Sequence, residues 1–212
     1  MQRGYEKTYD WVVKLLQDCD FEDSAKRLDL RAVSRNEVSV DFLGRTYLVN
    51  RQGVSLAEEK IPWSVASEGF DHNLKSVLGY YVLSEANLDP VNDYCVISGF
   101  SGGVFREGGE GDVFNNPLGK VYGADYGKFR AVAERLGMEA EESKPDLKYT
   151  WRYRMLPKIP IKIVYYEGDD EYPTKLQLLY DKTAILFYKF EPLAVLNGCF
   201  IAALAAIGET HG

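Results

Sequence analysis

The chain has 212 residues, 46% hydrophobic and 27% charged, which is ordinary globular usage, argues against disorder and allows one well-buried core or two small ones. The formal net charge of −7 and pI of about 5.0 repel phosphate backbones, so nucleic acid is not an expected partner. No apolar run reaches the roughly 18 residues that cross a bilayer, and residues 1–6 carry no apolar signal-peptide core, so a cytoplasmic protein without membrane contact is expected.

Tyr5, Tyr9, Val12, Val13 and Leu16 recur at the spacing of one helical face and predict a helix over 4–18. Asp20, Asp23 and Ser24 can cap a second, short helix around Ser24–Leu28. Val38, Val40 and Phe42 alternate with Ser39 and Asp41, and Thr46–Val49 follows. Strands are expected at 37–43 and 46–50, joined through Gly44-Arg45 as a type II′ turn. This helix and hairpin make up a first segment, 4–50. Phe70, Leu74, Val77, Leu78 and Tyr81 predict a helix over 65–86, opened by Pro62-Trp63 and ended before Pro90.

A glycine-rich middle covers 95–121 and reads as loops or a bent strand pair. A helix is expected from Asp125 to Leu136, with Gly137 at the left-handed position that ends it. Residues 138–147 read as an exposed linker. The clearest pattern is a strand–acidic turn–strand–helix unit over 148–207. Tyr149, Trp151, Tyr153 and Met155 alternate with Thr150, Arg152 and Arg154. Leu156–Pro160 is a rigid corner; Ile161, Ile163 and Tyr165 continue the alternation, and Leu176, Leu178 and Tyr180 resume it after the turn. Glu191-Pro192 starts a helix that is apolar nearly all round and is expected to be buried. Strands and helices without a βαβ repeat predict a single α+β domain, mainly antiparallel sheet with helices packed on it.

Several side chains can carry chemistry. Glu167, Asp169, Asp170 and Glu171 put four carboxylates within five residues, which suits a divalent cation, an acid/base pair or simply a solvated turn. Arg152 and Arg154 share one strand face and can hold a phosphate or carboxylate, or pair with the acidic turn. Asp181 is a further polar candidate, with Trp151, Tyr165 and Tyr166 as aromatic walls. Gly99-Phe100-Ser101-Gly102-Gly103 matches G-x-S-x-G, but no helix pattern follows and His211 is the only downstream histidine, so a serine nucleophile lacks its base. Cys19, Cys95 and Cys199 show no C-x-x-C spacing, which speaks against a zinc ribbon or an iron–sulfur cluster held by this chain. No cofactor is identified.

The ordered strings Leu156–Pro160, Val164–Pro173, Leu178–Thr183 and Glu191–Leu196 resemble a prokaryotic family catalogued as domain of unknown function 3786. The resemblance is strongest over 156–207 and extends from about residue 20. It implies occurrence in anaerobic bacteria and archaea, with no established catalytic residues. Some members carry a four-cysteine iron–sulfur module similar to that of corrinoid proteins in one-carbon metabolism; this chain lacks one. By that analogy the chain is an accessory or small-ligand-binding domain linked to anaerobic one-carbon metabolism. A divalent-metal-dependent enzyme using residues 167–171 and a protein–protein adaptor are the competing readings. The partner is accordingly a small molecule or a protein, neither identified.

Overall fold

The computed structural model describes residues 3–101, 118–123, 125–141 and 148–211. The first helix, α1 (Gly4–Leu16), buries Val12 and Leu16. The second, α2 (Phe21–Arg27), begins earlier than the sequence predicts. The Asp20 side chain accepts the Asp23 N–H at 3.0 Å and so caps the helix before Phe21. Four strands follow: β1 (Arg31–Ser34), β2 (Glu37–Phe42), β3 (Arg45–Asn50) and β4 (Gly53–Glu59). They form one antiparallel sheet in chain order. Periodicity reveals only the central pair, because β1 and most of β4 are exposed edges with no alternating apolar signal.

The turn between β2 and β3 differs from expectation. Phe42 pairs with Arg45, so the two-residue loop is Leu43-Gly44 rather than Gly44-Arg45. Both residues have positive φ, 46° and 77°, which is type I′ geometry. A leucine takes this position because its side chain is completely buried. The helix expected over 65–86 is α3 (Phe70–Val82). Gly69 at φ 79° precludes an earlier start. Trp63 packs against Phe42 of the first sheet instead, and its Nε1 donates to the Leu43 carbonyl at 3.0 Å. The helix stops at Val82, well before Pro90, so the proline does not end it.

After α3, β5 (Tyr94–Val96) leads into a 3-10 turn, Ile97–Ser101. The rest of the glycine-rich middle up to residue 117 lies outside the described residues. After a short α4 (Leu118–Tyr122), α5 (Tyr126–Arg135) is capped by Asp125, whose side chain accepts the Lys128 N–H at 3.0 Å. It ends as predicted, with Gly137 left-handed and the Met138 N–H donating to the Ala133 carbonyl. The expected linker begins instead with a paired strand, β6 (Glu139–Ala140), opposite Arg152 and Trp151. Residues 142–147 lie outside the described residues.

The second antiparallel sheet adds β7 (Lys148–Leu156), β8 (Ile159–Tyr166) and β9 (Lys175–Asp181), in the order β5-β9-β8-β7-β6. A short α6 (Ala184–Phe187) precedes α7 (Phe190–His211). The helix runs unbroken through Asn197, Gly198 and Cys199. Its segment Phe190–Thr210 is the one helix among the described residues long and apolar enough to cross a membrane. Here it is the core helix, with Leu193, Leu196, Phe200 and Leu204 fully buried. Phe200 packs against Phe42 of the first sheet and Tyr153 of the second. The Tyr180 hydroxyl donates to Asn197 Oδ1 at 2.8 Å, satisfying a buried amide oxygen. One apolar core therefore joins both sheets in an α+β domain.

Candidate functional site

Strand alternation divides the second sheet into two chemically different faces. Trp151, Ile163 and Leu178 lie in register across β7, β8 and β9, as do Tyr149, Tyr165 and Leu176; both rows face α5 and α7. Tyr165 is fully buried, stacks on Phe129 of α5 and donates its hydroxyl to the Gly123 carbonyl at 2.9 Å. Trp151 is equally enclosed, with its Nε1 donating to the Tyr126 hydroxyl at 3.2 Å. These two candidates are core aromatics rather than walls of an open site. Tyr166 points to the other face, half-buried, beside Gln177.

That opposite face carries Arg152 and Arg154 from β7, Lys162 from β8 and Tyr94 from β5. A cleft of about 590 Å³ opens there, at the end of the sheet where β7 turns into β8. Its lining brings together Arg152, Arg154, Tyr94, Lys158, Asp29 and Asp89, drawn from four separate parts of the chain. Lys158 sits at the tip of the β7–β8 hairpin. Its ammonium contacts Asp29 Oδ2 and Asp89 Oδ1, each at 2.7 Å. The hydroxyl of Tyr81, buried on α3, accepts the Lys158 backbone N–H at 2.9 Å and donates to the Leu28 carbonyl at 3.5 Å. One tyrosine thus sets the hairpin tip beside the end of α2, and with it Lys158 beside Asp29.

Asp181 does not line the cleft but holds part of its lining, Asn92, in place. It is fully buried yet has four hydrogen-bond donors. Oδ1 accepts from the Thr183 hydroxyl (2.7 Å), the Thr183 N–H (3.0 Å) and the Val91 N–H (3.3 Å); Oδ2 accepts from the Asn92 N–H (2.6 Å). Asp181 therefore pins the segment that follows Asp89 against β9, and Lys182 reinforces it through Asp93 at 2.7 Å. Its role is to position that lining.

The charges sort cleanly. Arg152 pairs with Glu139 (3.8 Å) and Glu141 (3.4 Å), not with the acidic turn. Lys162 pairs with Glu141 at 2.8 Å and lies 4.8 Å from the centre of the Tyr94 ring. Arg154 is exposed and has no ion pair or hydrogen bond among the described residues. Hydrogen bonds to Asp29 and Asp89 hold the Lys158 ammonium above its ordinary range. The hydrogen bond from Lys158, and then its charge, hold the Asp89 carboxyl below its usual range. Burial first, then the negative charge of Asp181, pushes the Tyr94 hydroxyl up.

The acidic turn lies at the other end of β8, about 25 Å from the hairpin tip at strand rise. Asp169, Asp170 and Glu171 are exposed and Glu167 is half-buried. Asp169 Oδ1 accepts the Glu171 N–H (2.9 Å) and the Tyr172 N–H (2.7 Å), which closes the turn on itself. Among the described residues no three His, Cys, Asp or Glu side chains gather as a metal-ligand set. Ser101 donates its hydroxyl to the Ser98 carbonyl at 2.7 Å within the 3-10 turn.

Sequence reasoning selected Arg152 and Arg154, which line the cleft, and Asp181, which stays outside the lining and holds Asn92 within it. It missed Asp29, Asp89, Tyr94 and Lys158. The available signal was a lysine at the tip of a proline-flanked corner, Pro157-Lys158-Ile159-Pro160. No curated protein and no solved structure matches the chain. A family model does match, over residues 20–203 and thus most of the chain, and by that match the chain belongs to the family described as Domain of unknown function (DUF3786).

Proposed function

We propose that this domain binds a small molecule through an anionic group, held by Arg154 with Arg152 beside it in the cleft on the second sheet. The observation that carries the reading is the unpaired guanidinium. Arg152, Lys158 and Lys162 each have a carboxylate partner within 4 Å, and Arg154 alone of these four has none among the described residues. A guanidinium offers a planar fork of donors that matches carboxylate or phosphate bidentately. A cavity of about 590 Å³ is the size of ordinary small-molecule sites. Its lining is anchored by Tyr81 and Asp181, so little of it must be ordered on binding.

Calorimetric titration with inorganic phosphate and with glutarate at low ionic strength tests this reading. Saturable binding of at least one anion is expected in the unaltered protein. Arg154→Ala should weaken it tenfold or more. Arg154→Lys should fall between, because an ammonium keeps the charge and loses the fork. Unchanged affinity in Arg154→Ala, or no saturable binding of either anion, overturns the reading.

A further inference from the structure

The cleft is not simply basic. Its lining holds three acids, Asp29, Asp89 and Glu139, and three bases, Arg152, Arg154 and Lys158. The charges balance, but they are segregated. On β7, Arg152 is compensated by Glu139 and Glu141, which leaves Arg154 as the uncompensated positive charge of that side. At the hairpin tip two carboxylates share one ammonium, which leaves a net negative charge. Lys158 contacts only Oδ2 of Asp29 and Oδ1 of Asp89. The second oxygen of each carboxylate has no hydrogen-bond partner among the described residues, and the two side chains are 60% and 86% exposed. An ionised carboxylate accepts about four hydrogen bonds, so both retain capacity for a further donor.

We infer that the ligand of this cleft is amphoteric, with a protonated amine that meets Asp29 and Asp89 while its anionic group meets Arg154. The inference rests on the reading of the cleft as a small-molecule site. A polyanion gains Arg154 but must approach three carboxylates, a like-charge juxtaposition that costs affinity. A simple carboxylate leaves the surplus negative charge at the tip unanswered. A molecule with a positive and a negative end satisfies both, and the rigid apolar surfaces of Pro90, Tyr94 and Pro160 lie in the same lining to pack its spacer. The anionic end can be a carboxylate or a phosphate, since the guanidinium fork fits either.

Matched probes that differ only in the amine separate this inference from the reading beneath it. The pairs are acetate and glycine, butyrate and γ-aminobutyrate, glutarate and glutamate, and ethyl phosphate and phosphoethanolamine, titrated calorimetrically at neutral pH. For at least one spacer length the amine-bearing member should bind at least fivefold more tightly. The last pair against the first three tells phosphate from carboxylate. In the double variant Asp29→Asn with Asp89→Asn that advantage should vanish while the amine-free member still binds. Asn accepts the left-handed backbone at position 29 (φ 53°), so that substitution adds no backbone strain, and retained binding of the amine-free member reports that the cleft is intact. Arg154→Ala should remove binding of both members. Equal affinity within every pair, or an amine advantage that survives the double variant, overturns the amphoteric inference and leaves the anion site standing. Failure of every probe overturns both.

Discussion

Leu43 shows how burial outweighs local backbone preference. Its left-handed conformation costs a non-glycine residue about 1–2 kcal/mol. A fully buried leucine contributes about 2–5 kcal/mol relative to truncation. Leu43→Gly should therefore relax the backbone and still destabilise the protein by about 1–3 kcal/mol in urea denaturation; an unchanged or higher midpoint would contradict this balance. Asp181 belongs to the same scale. Asp181→Ala strands the buried Thr183 N–H, at about 1–3 kcal/mol, and removes the acceptor of the part-buried Val91 and Asn92 N–H groups. It should cost at least about 1 kcal/mol, whereas Asp170→Asn and Glu171→Gln on the exposed turn should stay within about 0.5 kcal/mol. Cys199, buried in α7, has its thiol pushed up to about 12 by burial, so alkylation by iodoacetamide at pH 8 should wait for unfolding. Rapid labelling at Cys199 in the folded protein, with the half-buried Cys19 and Cys95 replaced by Ser, would show that α7 opens locally.

The Lys158 clamp ties three elements together: the end of α2 through Asp29, the segment after α3 through Asp89, and the β7–β8 hairpin through Lys158 itself. Its pH dependence follows from the two shifts. The Asp89 carboxyl is held below its unfolded value, so its stabilisation is present above about pH 4 and is lost as pH falls through the depressed value. The Lys158 ammonium is held above its unfolded value, so its stabilisation is present below that value and is lost as pH rises through the raised one. The clamp is thus closed across the neutral range. Carbon-detected NMR titration should find the Asp89 carboxyl below the usual carboxylate range, and Lys158→Met should return it there. An Asp89 titration that ignores the substitution would show that the ion pair does not form in solution.

Both sheets contribute to one core, with α7 between them, so they should unfold together. Two tryptophans report on the two halves: Trp63 packs against Phe42 of the first sheet, and Trp151 against Phe129 beneath the second. Variants that keep only Trp63 or only Trp151, the other tryptophans replaced by Phe, should give the same urea midpoint by fluorescence. Two separated midpoints would mean that the sheets are independent units.

Local pattern carried much of the fold. Period-two alternation found β2, β3, β7, β8 and β9, and helical spacing with its caps found α1, α5 and the core helix α7, because those signals arise from neighbours in the chain facing one core. Edge strands β1 and β4 and the two-residue β6 pack too little apolar surface to leave that trace. The same limit applies to the candidate site. The sequence by itself determined that Arg152 and Arg154 share a face, since strand alternation is local. Only the tertiary structure decided that Arg152 would be neutralised by Glu139 and Glu141 while Arg154 stays unpaired, and that Asp29 and Asp89 would meet at Lys158. Those neighbours come from separate parts of the chain, brought together by the buried hydroxyl of Tyr81 and the buried carboxylate of Asp181. Such long-range hydrogen bonds form only once the core has placed their partners, and no local periodicity encodes them.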